Sequence, residues 1–403
     1  MKKTNLSIVD VFSKRTWLKM EATEKILLQI CNPTFKCALI FGYFPISIDR
    51  KRRSLQNTKQ SFPLYLICPI IMATIQSLWI LWYGYSNGLM LFSRSFKNSF
   101  TNALGFTLWG VCGIGIITVI ICHRISKRTE FLSFWTMLIH LSTKLFDLII
   151  STKSNLLFQS GVENIKKYIL KRIFCITLAI LVLVSRELII YIWISHPENS
   201  IFKLCIGFAR DFFVSSHPIS FLPIFLFVQY FTLCFELLEI VLREFIDSEK
   251  QVMLITLTDS KNARFMLCKD ESMTIFLNLL NELENVINAF NMLYSNEFSA
   301  IVFVCGINAL MSAYNLSTSP KKLVLIAYSF VVFFLYTKAL WDICCLSTTM
   351  SRAAMQVFKL LEHISVENLE ENTKFRVNKR AKLYDMLKDS TVCNFRIETF
   401  LKF

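Results

Sequence analysis

Six apolar runs, each close to the ~20 residues that carry a helix across a bilayer, leave this 403-residue chain few soluble alternatives. They cover Phe62–Tyr83, Phe100–Cys122, Ile173–Ile194, Asp211–Phe235, Phe298–Tyr314 and Leu323–Cys345. Charged residues make up 18% of the chain, below the roughly one quarter of a soluble domain. Phe alone occurs 37 times. The fold class this predicts is all-α: a polytopic membrane helix bundle with six evident transmembrane helices and long helical extensions into the cytosol.

Between the runs the chain stays helical in pattern. Residues 1–60 form a cytosolic segment, with an amphipathic stretch at Trp17–Ile30, Pro33, and a short apolar piece at Cys37–Ile48. At about 12 residues that piece is too short to span and reads as re-entrant or interfacial. Residues 61–235 hold the first four spans. Thr129–Arg172 shows helical spacing and reads as a cytosolic extension of the bundle. Pro218 and Pro223 are expected to kink the fourth span. Residues 236–296 form a cytosolic, anchor-like helical region, with a break near Thr258–Asn262. Residues 297–345 hold the last two spans. Residues 346–403 form a cytosolic helical tail that leads toward a seventh span the sequence does not contain.

The distribution of cations sets the orientation. With the N-terminus inside, residues 1–60, 123–172, 236–296 and 346–390 hold 12, 9, 5 and 8 Lys and Arg, against 2 in each outer loop. The tetrad Arg50-Lys51-Arg52-Arg53 is the densest cluster. The positive-inside rule accounts for the net charge of +15. No recognition motif for nucleic acid accompanies the charge. The start of the chain is polar and basic and does not resemble a cleavable leader.

No enzyme chemistry is written in the motifs. The chain has no glycine-rich phosphate loop, no Ser/His/Asp arrangement and no zinc helix. The 13 Cys lie within or beside apolar runs without metal-ligand spacing. Only Cys205 falls in an outer loop, so no external disulfide, metal or cofactor is expected. Asn315-Leu316-Ser317 is a glycosylation sequon close to the outer surface.

Charges inside spans are costly and face a cavity or a partner. Arg186 and Glu187 sit together in the outer half of the third span, either lining a pocket or pairing within the bundle. Lys338 and Asp342, four residues apart near the inner end of the sixth span, are placed to form a structural ion pair.

Several stretches resemble the insect gustatory receptors, part of the seven-span insect chemoreceptor superfamily. Leu283-Glu284-Asn285-Val286-Ile287-Asn288-Ala289-Phe290-Asn291 is similar to the family's helix entering the fifth span. Ile343-Cys344-Cys345-Leu346-Ser347, with Ala353-Ala354, Leu360-Leu361 and His363, is similar to the sixth-span exit. Cys393 and Phe395-Arg396-Ile397-Glu398 resemble the lead into the last span. The seventh-span signature, Thr-Tyr, five mostly apolar residues, Gln-Phe, is absent. The resemblance implies a ligand-gated, non-selective cation channel in the plasma membrane. It implies a homo- or hetero-tetramer of chemoreceptor subunits, opened by a small organic tastant. It also implies a pocket in the outer halves of the second to sixth spans. Those halves hold Phe106, Trp109, Tyr191, Phe212, Ser215, Ser216, His217, Asn308, Ser312, Tyr314 and Tyr328. Aromatic walls with a few polar groups suit a small-molecule site, and aromatics at helical spacing equally suit plain packing. A non-conducting accessory subunit and a membrane transporter are the alternative readings.

Overall fold

The computed structural model describes residues 8–40, 47–49, 54–56, 74, 77, 123–151, 155–194, 218–255, 262–318, 323–362, 364, 371 and 373–378. The expected spans Phe62–Tyr83 and Phe100–Cys122 lie outside this set except at 74, 77 and the flank beginning at 123, and residues 379–403 lie outside it altogether. The described chain is a bundle of long helices, as the composition demands: α1 (Ile8–Ile40), α2 (Arg128–Ser151), α3 (Asn155–Ile194), α4 (Leu222–Ile255), α5 (Asn262–Thr318) and α6 (Leu323–Glu362). The exception to the helical rule is a two-stranded antiparallel ribbon, β1 (Ser47–Asp49) and β2 (Ser54–Gln56), with Ser47 opposite Gln56. The piece expected to be re-entrant or interfacial, Cys37–Ile48, is described at its two ends. Its first residues end α1 and its last two begin β1.

Each helix buries the face its spacing dictates. In α2 the buried positions include Phe131, Phe134, Trp135, Leu138, Ile139, Leu141, Ser142 and Leu145, the i, i+3, i+4, i+7 pattern of one helical stripe. Glu130 in its first turn complements the positive end of the helix dipole. Pro33 does not end α1, which continues through it to Ile40. An aromatic cluster joins four helices: Phe35 from α1, Phe131 and Phe134 from α2, Phe227 and Phe231 from α4, and Phe290 and Tyr294 from α5. Phe134 and Phe227 meet edge to face with ring centroids 5.1 Å apart, and Phe231 and Phe290 do so at 5.4 Å, geometries that the ring quadrupoles favour.

Four described stretches are long and apolar enough to cross a membrane: Phe158–Ser185, Pro218–Asp247, Glu271–Tyr314 and Ser329–Glu362. They are not alike. Only 22% of the most apolar part of the α3 stretch is buried in protein, against 72% for the α4 stretch. On α3, Ile169, Ile176, Ala179 and Leu183 turn inward while Leu170, Phe174, Leu178 and Leu181 stay exposed, the arrangement of a lipid-facing helix. α4 is covered on nearly all sides. Its Tyr230 hydroxyl lies 2.7 Å from Ser142 Oγ of α2, and Phe227 packs on Phe35 of α1.

Residues 220–235 therefore pack among α1, α2 and α5, while residues 211–217 of the expected span Asp211–Phe235 lie outside the described set. Pro223 lies in the first turn of α4, where a missing N–H costs nothing, so it starts a helix and does not kink one. α4 ends at Ile255 and α5 starts at Asn262. α6 packs on both α4 and α5. Beyond its end, residues 373–378 return to α5, where Arg376 donates to Asn278 Oδ1 at 2.9 Å and Val377 is buried.

Candidate functional site

Buried charges define a level across the bundle. Arg124, on the flank of the second apolar run, donates from Nε to Glu297 Oε2 of α5 at 2.8 Å, and from a terminal guanidinium nitrogen to the Ser220 carbonyl at 3.2 Å. His123 Nδ1 lies 3.0 Å from the other Glu297 oxygen, and the Arg124 guanidinium stands 5.8 Å from the Tyr294 ring centre. Glu297 is 3% exposed. A charge so buried must be paired and hydrogen-bonded, and Glu297 is both.

A second cluster forms between α3 and α6. Asp342 receives Lys338 at 2.6 Å on its own helix and Arg172 from α3. The Arg172 guanidinium lies over the rings of Tyr168 at 5.3 Å and Phe225 at 5.0 Å, and donates to the Tyr168 hydroxyl at 3.1 Å. Asp342 thus ties α3 to α6, and the Phe225 ring under Arg172 adds a contact from α4.

Helix rise converts these positions into depths. At 1.5 Å per residue, Arg172 to Ile194 on α3 spans ~33 Å, Glu297 to Thr318 on α5 ~32 Å, and Leu323 to Asp342 on α6 ~29 Å. All three match the ~30 Å hydrocarbon core. Both ionic clusters accordingly mark one face of the bilayer, with α1, α2 and most of α4 beyond it.

The pocket residues named from the sequence can be placed against that level. Asn308 and Ser312 lie one turn apart on α5, 4% and 6% exposed, at ~16 and ~22 Å from Glu297 along the helix. Asn308 Nδ2 donates to the Val304 carbonyl at 2.9 Å, while its Oδ1 is buried with no hydrogen-bond partner. Ser329 on α6, at ~20 Å from Asp342, is likewise buried with its Oγ unpartnered. Ser329 was not singled out in the sequence. Its signal was position alone, a hydroxyl in the outer half of an apolar run. Tyr314 is two residues from Ser312, so it points to the opposite side of α5 and is exposed. Arg186, Glu187 and Tyr191 occupy α3, and Tyr328 occupies α6, but their side chains lie outside the described set. So do Phe106, Trp109, Phe212, Ser215, Ser216 and His217. The structure thus brings Asn308, Ser312 and Ser329 to a common depth on two adjacent helices, and Tyr314 does not share the buried face of Asn308 and Ser312.

Buried polar atoms without partners are costly, at about 1–3 kcal/mol each. Asn308 Oδ1 on α5 and Ser329 Oγ on α6 are two such atoms in the apolar part of the bundle. No family model matches this chain, and no curated protein matches it in sequence. In three dimensions it is similar to the insect olfactory receptor OR5 from Machilis hrabei, with a TM-score of 0.59 at 10% sequence identity over 89% of each chain. The chain therefore has the fold of that membrane receptor.

Proposed function

We propose that this protein is a chemosensory receptor subunit of the gustatory type, a ligand-gated, non-selective cation channel that opens to small organic tastants. One observation carries the reading: the fold of an olfactory receptor extends over 89% of both chains. The sequence resemblance around Leu283–Asn291 and Ile343–Ser347 supports the gustatory branch. The excess of Lys and Arg on the side of α1 and α2 supports a cytosolic N-terminus in the plasma membrane. A homo- or hetero-tetramer of such subunits surrounds the pore. The chain performs no enzyme chemistry, takes no cofactor and binds no nucleic acid.

In this reading the stimulus enters from the outer face and reaches the level of Asn308, Ser312 and Ser329. Asn308 Oδ1 accepts a hydrogen bond and Ser329 Oγ gives or accepts one, while the apolar walls take the body of the ligand. Binding shifts α5 and α6, and the shift reaches the ionic clusters at Glu297 and Asp342. A ligand acts here only through its different affinity for closed and open states.

The test is whole-cell recording from cells expressing the full chain, alone and with a co-expressed chemoreceptor subunit, during exposure to a panel of small organic compounds. A stimulus-evoked cation current, weakened by Asn308→Ala or Ser329→Ala, is the expected result. Ligand binding accompanied by vesicle uptake of the ligand, with no current in any combination, would overturn it in favour of transport.

A further inference from the structure

The groove between α3 and α6, at the level of the ionic clusters, holds more positive charge than the described residues balance. Asp342 is the only acidic residue on α6 before Glu362, and α3 has none between Glu163 and Glu187. That one carboxylate already takes Arg172 and Lys338. Lys338 also lies within electrostatic reach of Lys171 on α3. Lys171 is exposed, and among the described residues no carboxylate pairs with it. Three cations thus share one anion at a membrane boundary, where uncompensated charge is costly.

The same faces are apolar toward the bilayer interior. Lys171 is followed at i+3 and i+7 by Phe174 and Leu178, which are 66% and 51% exposed. On α6, which runs the other way, Phe334 lies at i−4 from Lys338 and is 59% exposed. Trp341, 65% exposed, sits at i+3, at the depth where indole rings settle in the headgroup region. Each helix therefore presents one cation at the boundary and an apolar row leading from it into the hydrocarbon.

We propose that the groove between α3 and α6 is a binding site for an anionic phospholipid, with its phosphate between Lys171 and Lys338 and its acyl chains along Phe174, Leu178 and Phe334. The lipid supplies the missing negative charge and covers the exposed rings. Basic clefts between helices at the inner face of a membrane recognise acidic headgroups in this way. The site stands independently of the channel reading, since it depends on no conducting state.

The full chain, purified in a neutral detergent, is titrated with phosphatidylserine or with phosphatidylcholine of the same acyl chains, and bound lipid is counted by native mass spectrometry. Phosphatidylserine should bind at least about tenfold more tightly, from two lysines near the phosphate. Lys171→Gln leaves both Asp342 pairs in place and should weaken phosphatidylserine about fivefold. Lys171→Gln with Lys338→Gln should remove the preference, whereas Lys359→Gln, an exposed cation in the last turn of α6, should leave it unchanged. Phe174→Ala should weaken both lipids. Equal affinities for the two lipids would overturn the proposal. An unaltered preference in Lys171→Gln, which has no buried contact to lose, would do the same. Equal competition by soluble glycerophosphoserine would reassign the site to a free anion.

Discussion

Removing the Glu297 charge is the sharpest test of how this bundle is held at the membrane boundary. In Glu297→Gln the side chain keeps its shape, but the Arg124 guanidinium, 7% exposed, loses the Glu297 carboxylate that its Nε donates to at 2.8 Å. It retains the Ser220 carbonyl at 3.2 Å and the Tyr294 ring at 5.8 Å. Neither neutralises a full charge, and leaving one partner of a buried pair uncompensated costs about 3–5 kcal/mol. The two residual contacts place the expected loss at the lower end, about 3 kcal/mol. For a chain of this size that corresponds to a fall of roughly 3–6 °C in unfolding midpoint, extending the known decline of the shift with chain length. The measurement is fluorescence-detected size-exclusion after heating in detergent. Arg124→Met combined with Glu297→Leu supplies the control: replacing both charges with apolar groups of similar volume is often neutral, so the double variant should recover most of the loss. A Glu297→Gln midpoint equal to the wild type would refute the reasoning. So would a double variant that falls by the sum of the two single ones, because the pair would then have no coupling.

Three further outcomes follow from the packing. Phe227, 1% exposed and ringed by Phe35, Phe131, Phe134 and Phe290, should cost about 3–5 kcal/mol on truncation to Ala, read as the largest midpoint drop of any single aromatic in the cluster. A Cβ at Gly161 on α3 would meet Leu233 of α4, whose Cδ2 and Cγ would lie 3.1 and 3.3 Å away. Gly161→Ala should therefore lower stability by about 1–3 kcal/mol through overpacking, and Leu233→Ala in the same chain should relieve that penalty, seen as a smaller combined loss than the sum. Burial pushes the Cys31 thiol far above its ordinary range and the Cys37 thiol up to about 11. The thiolate is the reactive form, so at pH 8 maleimide should label Cys37 slowly and Cys31 only after unfolding, as peptide mapping would show. Raising the pH toward 10 should speed Cys37 and leave Cys31 protected.

The local periodicities of the sequence were legible because they are set within one helix. The inward stripe of α2 and the i,i+4 relation of Lys338 to Asp342 required no knowledge of neighbours. What could not be read were relations across the chain. Arg124 and Glu297 are 173 positions apart, and nothing in either stretch names the other. Helical spacing puts Arg172 at the end of an expected cytosolic helix, and only the fold shows it as the cross-helix partner of Asp342. Ser329 is one more small residue in an apolar run, and only its burial and unpartnered hydroxyl distinguish it, as the unpartnered Oδ1 does Asn308.

The fourth helix shows why apolar content alone does not set a membrane boundary. Hydropathy measures how well a segment avoids water, and lipid and a protein core satisfy that need equally. α3 and α4 are both apolar enough to span, but the first is largely uncovered and the second is enclosed. The ionic clusters resolve the ambiguity, since buried ion pairs and their hydrogen bonds cannot be placed at random depth in hydrocarbon. With Ser220 held by Arg124 and Phe225 beneath Arg172, α4 begins at the boundary. The ~30 Å then measured along α3, α5 and α6 places Asn308 near the midplane, and Ser312 and Ser329 beyond it on the far side from those charges. A stimulus bound there and a lipid phosphate held at Lys171 and Lys338 would act on the two ends of the same helix, α6. Occupancy of one site should therefore change the affinity of the other by an equal factor in both directions, and titrating the phospholipid at fixed stimulus concentration would measure that coupling.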